Sequence, residues 1–103
     1  MLRARKWDTD RDGPLSEEAM RAELEAEGYK VSCYTYPPGT YFPDHTHEID
    51  KIDGVLSGRF RMTVLGESAV LEAGDCLEVP CRTVHSAEVI GDEPVVSLDA
   101  TKD

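Results

Sequence analysis

Basic residues are scarce in this sequence, and scarcest toward its end. Eleven lysines and arginines stand against twenty-one aspartates and glutamates in 103 residues, a formal net charge of −10. Between residues 62 and 103, nine acids are matched only by Arg82 and Lys102. A nucleic-acid binder needs a basic face to release counterions from phosphates, and an anionic membrane attracts basic segments. The charge balance argues against both partners. No apolar run reaches membrane-spanning length, and none of signal-peptide length follows the basic start at Met1–Lys6. Cysteine is sparse and odd in number: Cys33, Cys76 and Cys81 do not make a disulfide framework. A reducing compartment, and so a cytoplasmic location, is the expectation. There is no Gly-rich phosphate loop and no nucleophile motif of the G-x-S-x-G type. Histidine is as scarce as cysteine, with three in the chain.

What is present is enough for one modest core: 40% of the residues are hydrophobic, in a chain of single-domain length. Residues 1–13 are polar and read as irregular. Residues 17–27 read as a helix, with Ser16 as N-cap, Leu15 and Met20 as a hydrophobic staple and Gly28 as the stop. Its apolar stripe, Met20 and Leu24, is narrow, so it is expected to lie on the surface of something else. From Tyr29 the period changes to alternation. Seven or more short β segments follow, punctuated by Pro37-Pro38-Gly39, Gly66-Glu67-Ser68, Ala73-Gly74-Asp75, Pro80 and Gly91-Asp92-Glu93-Pro94. The pattern is that of an all-β sandwich or barrel. The organisation read from it is an N-terminal arm with a short helix over 1–28, then a β domain over 29–103.

Asp8-Thr9-Asp10-Arg11-Asp12-Gly13 opens like a calcium-binding EF-hand loop. The position of the bidentate Glu is Ala19, and too few residues precede Asp8 for an entering helix. An acidic turn that caps a helix is the better reading.

His45, Thr46 and His47 lie in a segment that reads as strand. Side chains two apart on a strand share a face, so both imidazoles can converge on one ion. His85 lies in a later strand, TVHSAEVI. Imidazole suits divalent transition metals, and three nitrogen ligands leave positions open for water or substrate.

These residues also form two motifs. Gly39, five residues, His45-x-His47, three residues, Lys51, six residues and Gly58 match G-x5-H-x-H-x3,4-E-x6-G except at the Glu. Gly74, five residues, Pro80, Cys81, Arg82, two residues, His85, three residues and Val89 match G-x5-P-x-G-x2-H-x3-N except at the Gly and the Asn. With fifteen residues between Gly58 and Gly74, the chain resembles the small single-domain bacterial cupins over about residues 31–100. The resemblance implies a jelly-roll, or double-stranded β-helix, barrel of two antiparallel sheets. It implies a metal held inside by His45, His47 and His85, and a homodimer. The ion that the resemblance implies is a divalent transition metal, with iron, nickel, zinc, manganese and cobalt not distinguished.

Lys51 is the main departure, since it stands where the first motif has a metal-binding Glu. Two arrangements are open. In a regular strand, Lys51 and Asp53 share the histidine face, and Lys51 is paired with Asp53 or has a lowered pKa. With a kink after His47, Asp50 takes the ligand place and Lys51 points out. An inward Lys51 is a candidate acid–base group. Of the remaining residues, Cys76 and Cys81 read as small hydrophobes rather than metal ligands. Tyr34, Tyr36, Tyr41, Phe42 and Phe60 read as core or interface aromatics rather than pocket walls, and Arg59 and Arg61 as solvent-facing. The expected function is a metal-dependent enzyme acting on a small organic substrate. The alternative is a non-catalytic, metal-retaining module that binds a small ligand.

Overall fold

The computed structural model describes residues 2–103. In chain order the elements are β1 (Arg3–Lys6), α1 (Thr9–Asp12), α2 (Glu17–Ala26), β2 (Lys30–Tyr36), β3 (Tyr41–His45), β4 (Asp50–Ser57), β5 (Arg59–Val64), β6 (Glu67–Leu71), β7 (Asp75–Val79), β8 (His85–Ile90) and β9 (Val95–Lys102). The strands form two antiparallel sheets, β1-β7-β4-β9-β2 and β3-β8-β5-β6. This is the jelly-roll arrangement expected of the β domain.

Strand alternation divides the apolar residues between two cores. Val55, Phe60, Met62, Leu77, Val79, Val89 and Val95 point between the sheets. Ile52, Cys76, Leu98 and Ala100, the alternate positions, point outward from the larger sheet and are covered by Met20 and Leu24 of α2. The narrow stripe of α2 therefore makes a second core, with Met20 and Leu24 almost fully buried. Gly54 makes the close approach possible, because a Cβ there would stand 2.7 Å from Met20 Sδ. Ser16 caps α2 as expected, accepting the Ala19 N–H at 3.0 Å.

The first residues depart from expectation. Arg3–Lys6 is not irregular but adds an edge strand, pairing with β7 from Arg3↔Glu78 to Lys6↔Asp75. Alternation is no guide there, because an edge strand with both faces partly open shows no apolar period. Asp8 caps α1, accepting from the N–H groups of Asp10 and Arg11, and the Asp12 carboxylate is bound by Arg11. The calcium-loop lookalike is thus a capping turn. Among the described residues no helix is long and apolar enough to cross a membrane.

Candidate metal centre

His45, His47 and His85 come together at one end of the space between the sheets. Each offers a nitrogen within 4.8 Å of the others, and their ring centroids lie 4.2–5.1 Å apart. His45 and His85 sit opposite each other in the β3–β8 ladder. The route to this differs from a regular strand carrying both early histidines. The register shifts between Phe42 and His45. This bulge resets the alternation, so that Phe42 and His45 both face inward although they are three positions apart.

His47 lies past the strand end, held by the loop of the second motif. Arg82 N–H donates to His47 O at 2.7 Å, and Cys81 N–H donates to Asp50 Oδ1 at 2.8 Å. Asp50 therefore ties two loops together and stands outside the histidine group. Arg82, where the second motif has Gly, still takes the left-handed backbone at φ 58°. The motif's conformation is kept at a cost of about 1 kcal/mol.

The hydrogen bonds set the tautomers. His45 Nδ1 is 2.7 Å from Pro43 O, and His85 Nδ1 is 2.8 Å from Thr83 O. A carbonyl only accepts, so each Nδ1 carries the proton and each Nε2 keeps its lone pair. His47 Nε2 is buried and has no hydrogen-bond partner, an arrangement that costs about 1–3 kcal/mol unless something meets it. Burial, the Lys51 charge and the neighbouring histidines lower the His47 pKa. Burial, outweighing the Thr83 carbonyl, and the charges of His45 and Lys51 lower that of His85. The three imidazoles thus bring ring nitrogens within 4.8 Å of one another, a donor set that suits a transition metal.

Lys51 points inward. Burial by itself would lower its pKa, but the charges of Asp53 and Asp99 outweigh burial and raise it. The residue is a held ammonium, not the lowered-pKa group that one sequence reading offered. Its Nζ is 2.6 Å from Asp99 Oδ1, close but off the axis of a good hydrogen bond. Asp99 was missed at the sequence level. Its signal was the alternation of β9, which turns Val95, Ser97 and Asp99 inward while Leu98 and Ala100 face α2. Asp53 lies opposite Asp99 in the β4–β9 ladder. Burial pushes the Asp53 carboxyl up to about 7, with Lys51 opposing the shift and Asp99 adding to it.

A carboxyl protonated in the fold but ionised in the unfolded chain stabilises the fold fully below the unfolded value of about 3.8. That contribution declines as pH rises toward about 7. Thermal melts of metal-free protein between pH 4 and pH 8 check this. Asp53→Asn, which keeps the neutral form, is expected to gain on the wild type as pH rises across that range.

The histidines and the Lys51–Asp53–Asp99 cluster line one cavity of about 350 Å³. Tyr34, Tyr36, Phe42 and Phe60 line it too, so Tyr36, Phe42 and Phe60 are walls as well as core, whereas Tyr34 is a half-exposed wall and Tyr41 faces solvent. Tyr36 packs against Phe42 and Phe60 at centroid distances of 5.0 and 5.7 Å. Arg61 and Arg59 are outside, paired with Glu88 and Glu72. A larger cavity of about 470 Å³ lies beyond the barrel among β1, α1 and α2. Its Arg5 and Arg11 are already paired with Glu27 and Asp12, and no histidine reaches it.

The cupin-domain family profile matches residues 32–101, most of the chain. The chain belongs to the cupin family. Among solved structures this cupin is similar to a cupin protein from Bacteroides fragilis, at 30% identity and a TM-score of 0.64 over 73% of this chain and 65% of that one. It is similar to KdgF from Halomonas sp., at 26% identity and a TM-score of 0.64 over 73% of this chain and 70% of that one. It also resembles Bacillus subtilis oxalate decarboxylase, a protein with Mn(II) centres, at 35% identity and a TM-score of 0.62 over 71% of this chain. That match spans only 21% of the decarboxylase. No curated protein matches the sequence.

Proposed function

We propose that this cupin holds a divalent transition metal on His45, His47 and His85 and uses it as an enzyme acting on a small organic substrate. The observation that carries the reading is His47 Nε2, buried without a partner beside two imidazoles whose Nδ1 protons are already committed to carbonyls. The residues fit the ion, and when bound it supplies a Lewis acid for a substrate oxygen. The similarity to a decarboxylase with Mn(II) centres supports a metal-dependent activity.

The chain's own contribution lies around the triad. The aromatic wall gives the cavity an apolar side, Lys51 keeps an ammonium in it, and Asp53 carries a proton that it can exchange near neutral pH. An open cavity beside the ligands favours the enzyme over a closed structural site.

Elemental analysis of purified protein is expected to find close to one transition-metal ion per chain. At a free metal concentration of about 100 times Kd, metal is expected to stabilise the fold by roughly 2.7 kcal/mol. Protein that retains no metal, and melts identically with and without it, rejects the proposal.

A further inference from the structure

Lys51 creates a charge problem in this cavity. Where the first motif would supply a carboxylate to the metal, the chain supplies an ammonium that lines the same cavity as His45, His47 and His85. A dication on the histidines therefore faces a second cation.

Asp99 offsets Lys51 at 2.6 Å, but it does so from β9, in the sheet opposite the one that carries His45 and His85. Asp53, in register with Asp99, carries a proton up to about pH 7 and adds little negative charge below that. The rest of the wall is Phe42, Phe60, Met62 and Ala87 with the two tyrosines, which offer no anion. Between partly buried groups the repulsion between two cations is stronger than in bulk water.

An anion between them removes that repulsion. A neutral ligand leaves it in place, and a cationic ligand adds to it. A carboxylate has two oxygens on one carbon, so one can face the histidine side while the other accepts from the ammonium. A cavity of 350 Å³ has room for roughly a dozen waters, hence for a carboxylate with a short apolar or ring body against the aromatic wall.

Resting on the metal reading above, we infer that the cavity recognises a small organic acid as its carboxylate anion, with Lys51 as the second anchor beside the metal.

The test is calorimetric titration of the zinc-loaded full-length chain with benzoate and with its neutral isostere benzamide. Zinc affinity is measured alongside by chelator competition. Benzoate is expected to bind about tenfold or more tighter than benzamide, the scale of one charge-assisted hydrogen bond. Saturating benzoate should tighten zinc by the same factor by which zinc tightens benzoate.

Two variants move in opposite directions, which general damage to the fold does not produce. Lys51→Met is expected to retain zinc while binding benzoate about tenfold more weakly. Asp99→Asn, which removes the competing carboxylate, is expected to bind benzoate more tightly. The inference is overturned if benzoate and benzamide bind alike, if Lys51→Met binds benzoate as the wild type does, or if Asp99→Asn binds it more weakly. Wild-type protein that takes up zinc but no benzoate overturns this inference alone. Wild-type protein that takes up no zinc overturns the metal reading with it.

Discussion

A His47→Ala protein is expected to leave purification without its metal, and adding metal is expected no longer to raise its melting temperature. Three nitrogens hold the proposed ion, and no carboxylate among the described residues joins them. Removing an outer partner of a metal ligand costs 10–100-fold in affinity, so removing one of three ligands is expected to cost more than about 100-fold. The metal-free variant itself should fold as well as the metal-free wild type or better. His47 lies beyond the end of β3, and its buried Nε2 is unsatisfied without the ion. That asymmetry separates a ligand from a packing residue. Loss of a packing residue would lower the melting temperature of the metal-free protein, whereas loss of this ligand should remove only the increment that metal provides. Metal titrations followed by thermal melts of both proteins check it. Equal metal stabilisation of the two excludes His47 as a ligand.

Gly58→Ala is expected to produce the largest loss of stability of any single methyl addition in the chain. Gly58 turns β4 into β5 at φ 82°, and a Cβ there would stand 2.4 Å from Pro94 O and 2.9 Å from Val95 Cα. Both neighbours are backbone at the start of β9, a strand paired on both sides and unable to retreat. A left-handed alanine costs about 1–2 kcal/mol, and forced overpacking adds roughly 1–3 kcal/mol. Together these exceed a fifth of a typical domain's stability and correspond to a drop of more than about 10 °C in melting temperature. Gly39→Ala is the matching control. Gly39 also has positive φ, 84°, but nothing lies within 4 Å of its added Cβ, so only the conformational cost should appear. Denaturant unfolding of the two variants measures the difference. Equal losses would mean that the contact with the Pro94 segment contributes nothing.

Much of the fold was legible because it rests on local rules. Alternation and punctuation marked the strands from Tyr29 onward. Ser16 and Gly28 bounded the helix, and the two motifs brought His45, His47 and His85 to one place. Lys51 facing inward beside Asp53 was one of the two arrangements left open, and it is the one found, because β4 is regular through residues 51–55.

What stayed out of reach depends on contacts between distant segments. The bulge before His45 exists only in register with β8. His47 is aimed by a hydrogen bond from Arg82, thirty-five residues later. Asp99 meets Lys51 only because β9 lies beside β4, so the sign of the Lys51 pKa shift could not be read before that pairing was known. β1 was invisible because an edge strand gains its partner from β7 rather than from its own period.

The sequence alone determined the class of fold and the inventory of the site: three imidazoles and an ammonium in place of a carboxylate. The tertiary structure decided their protonation and aim. Periodicity is a property of neighbours along the chain, whereas charge state and direction are set by whatever the fold packs against each group.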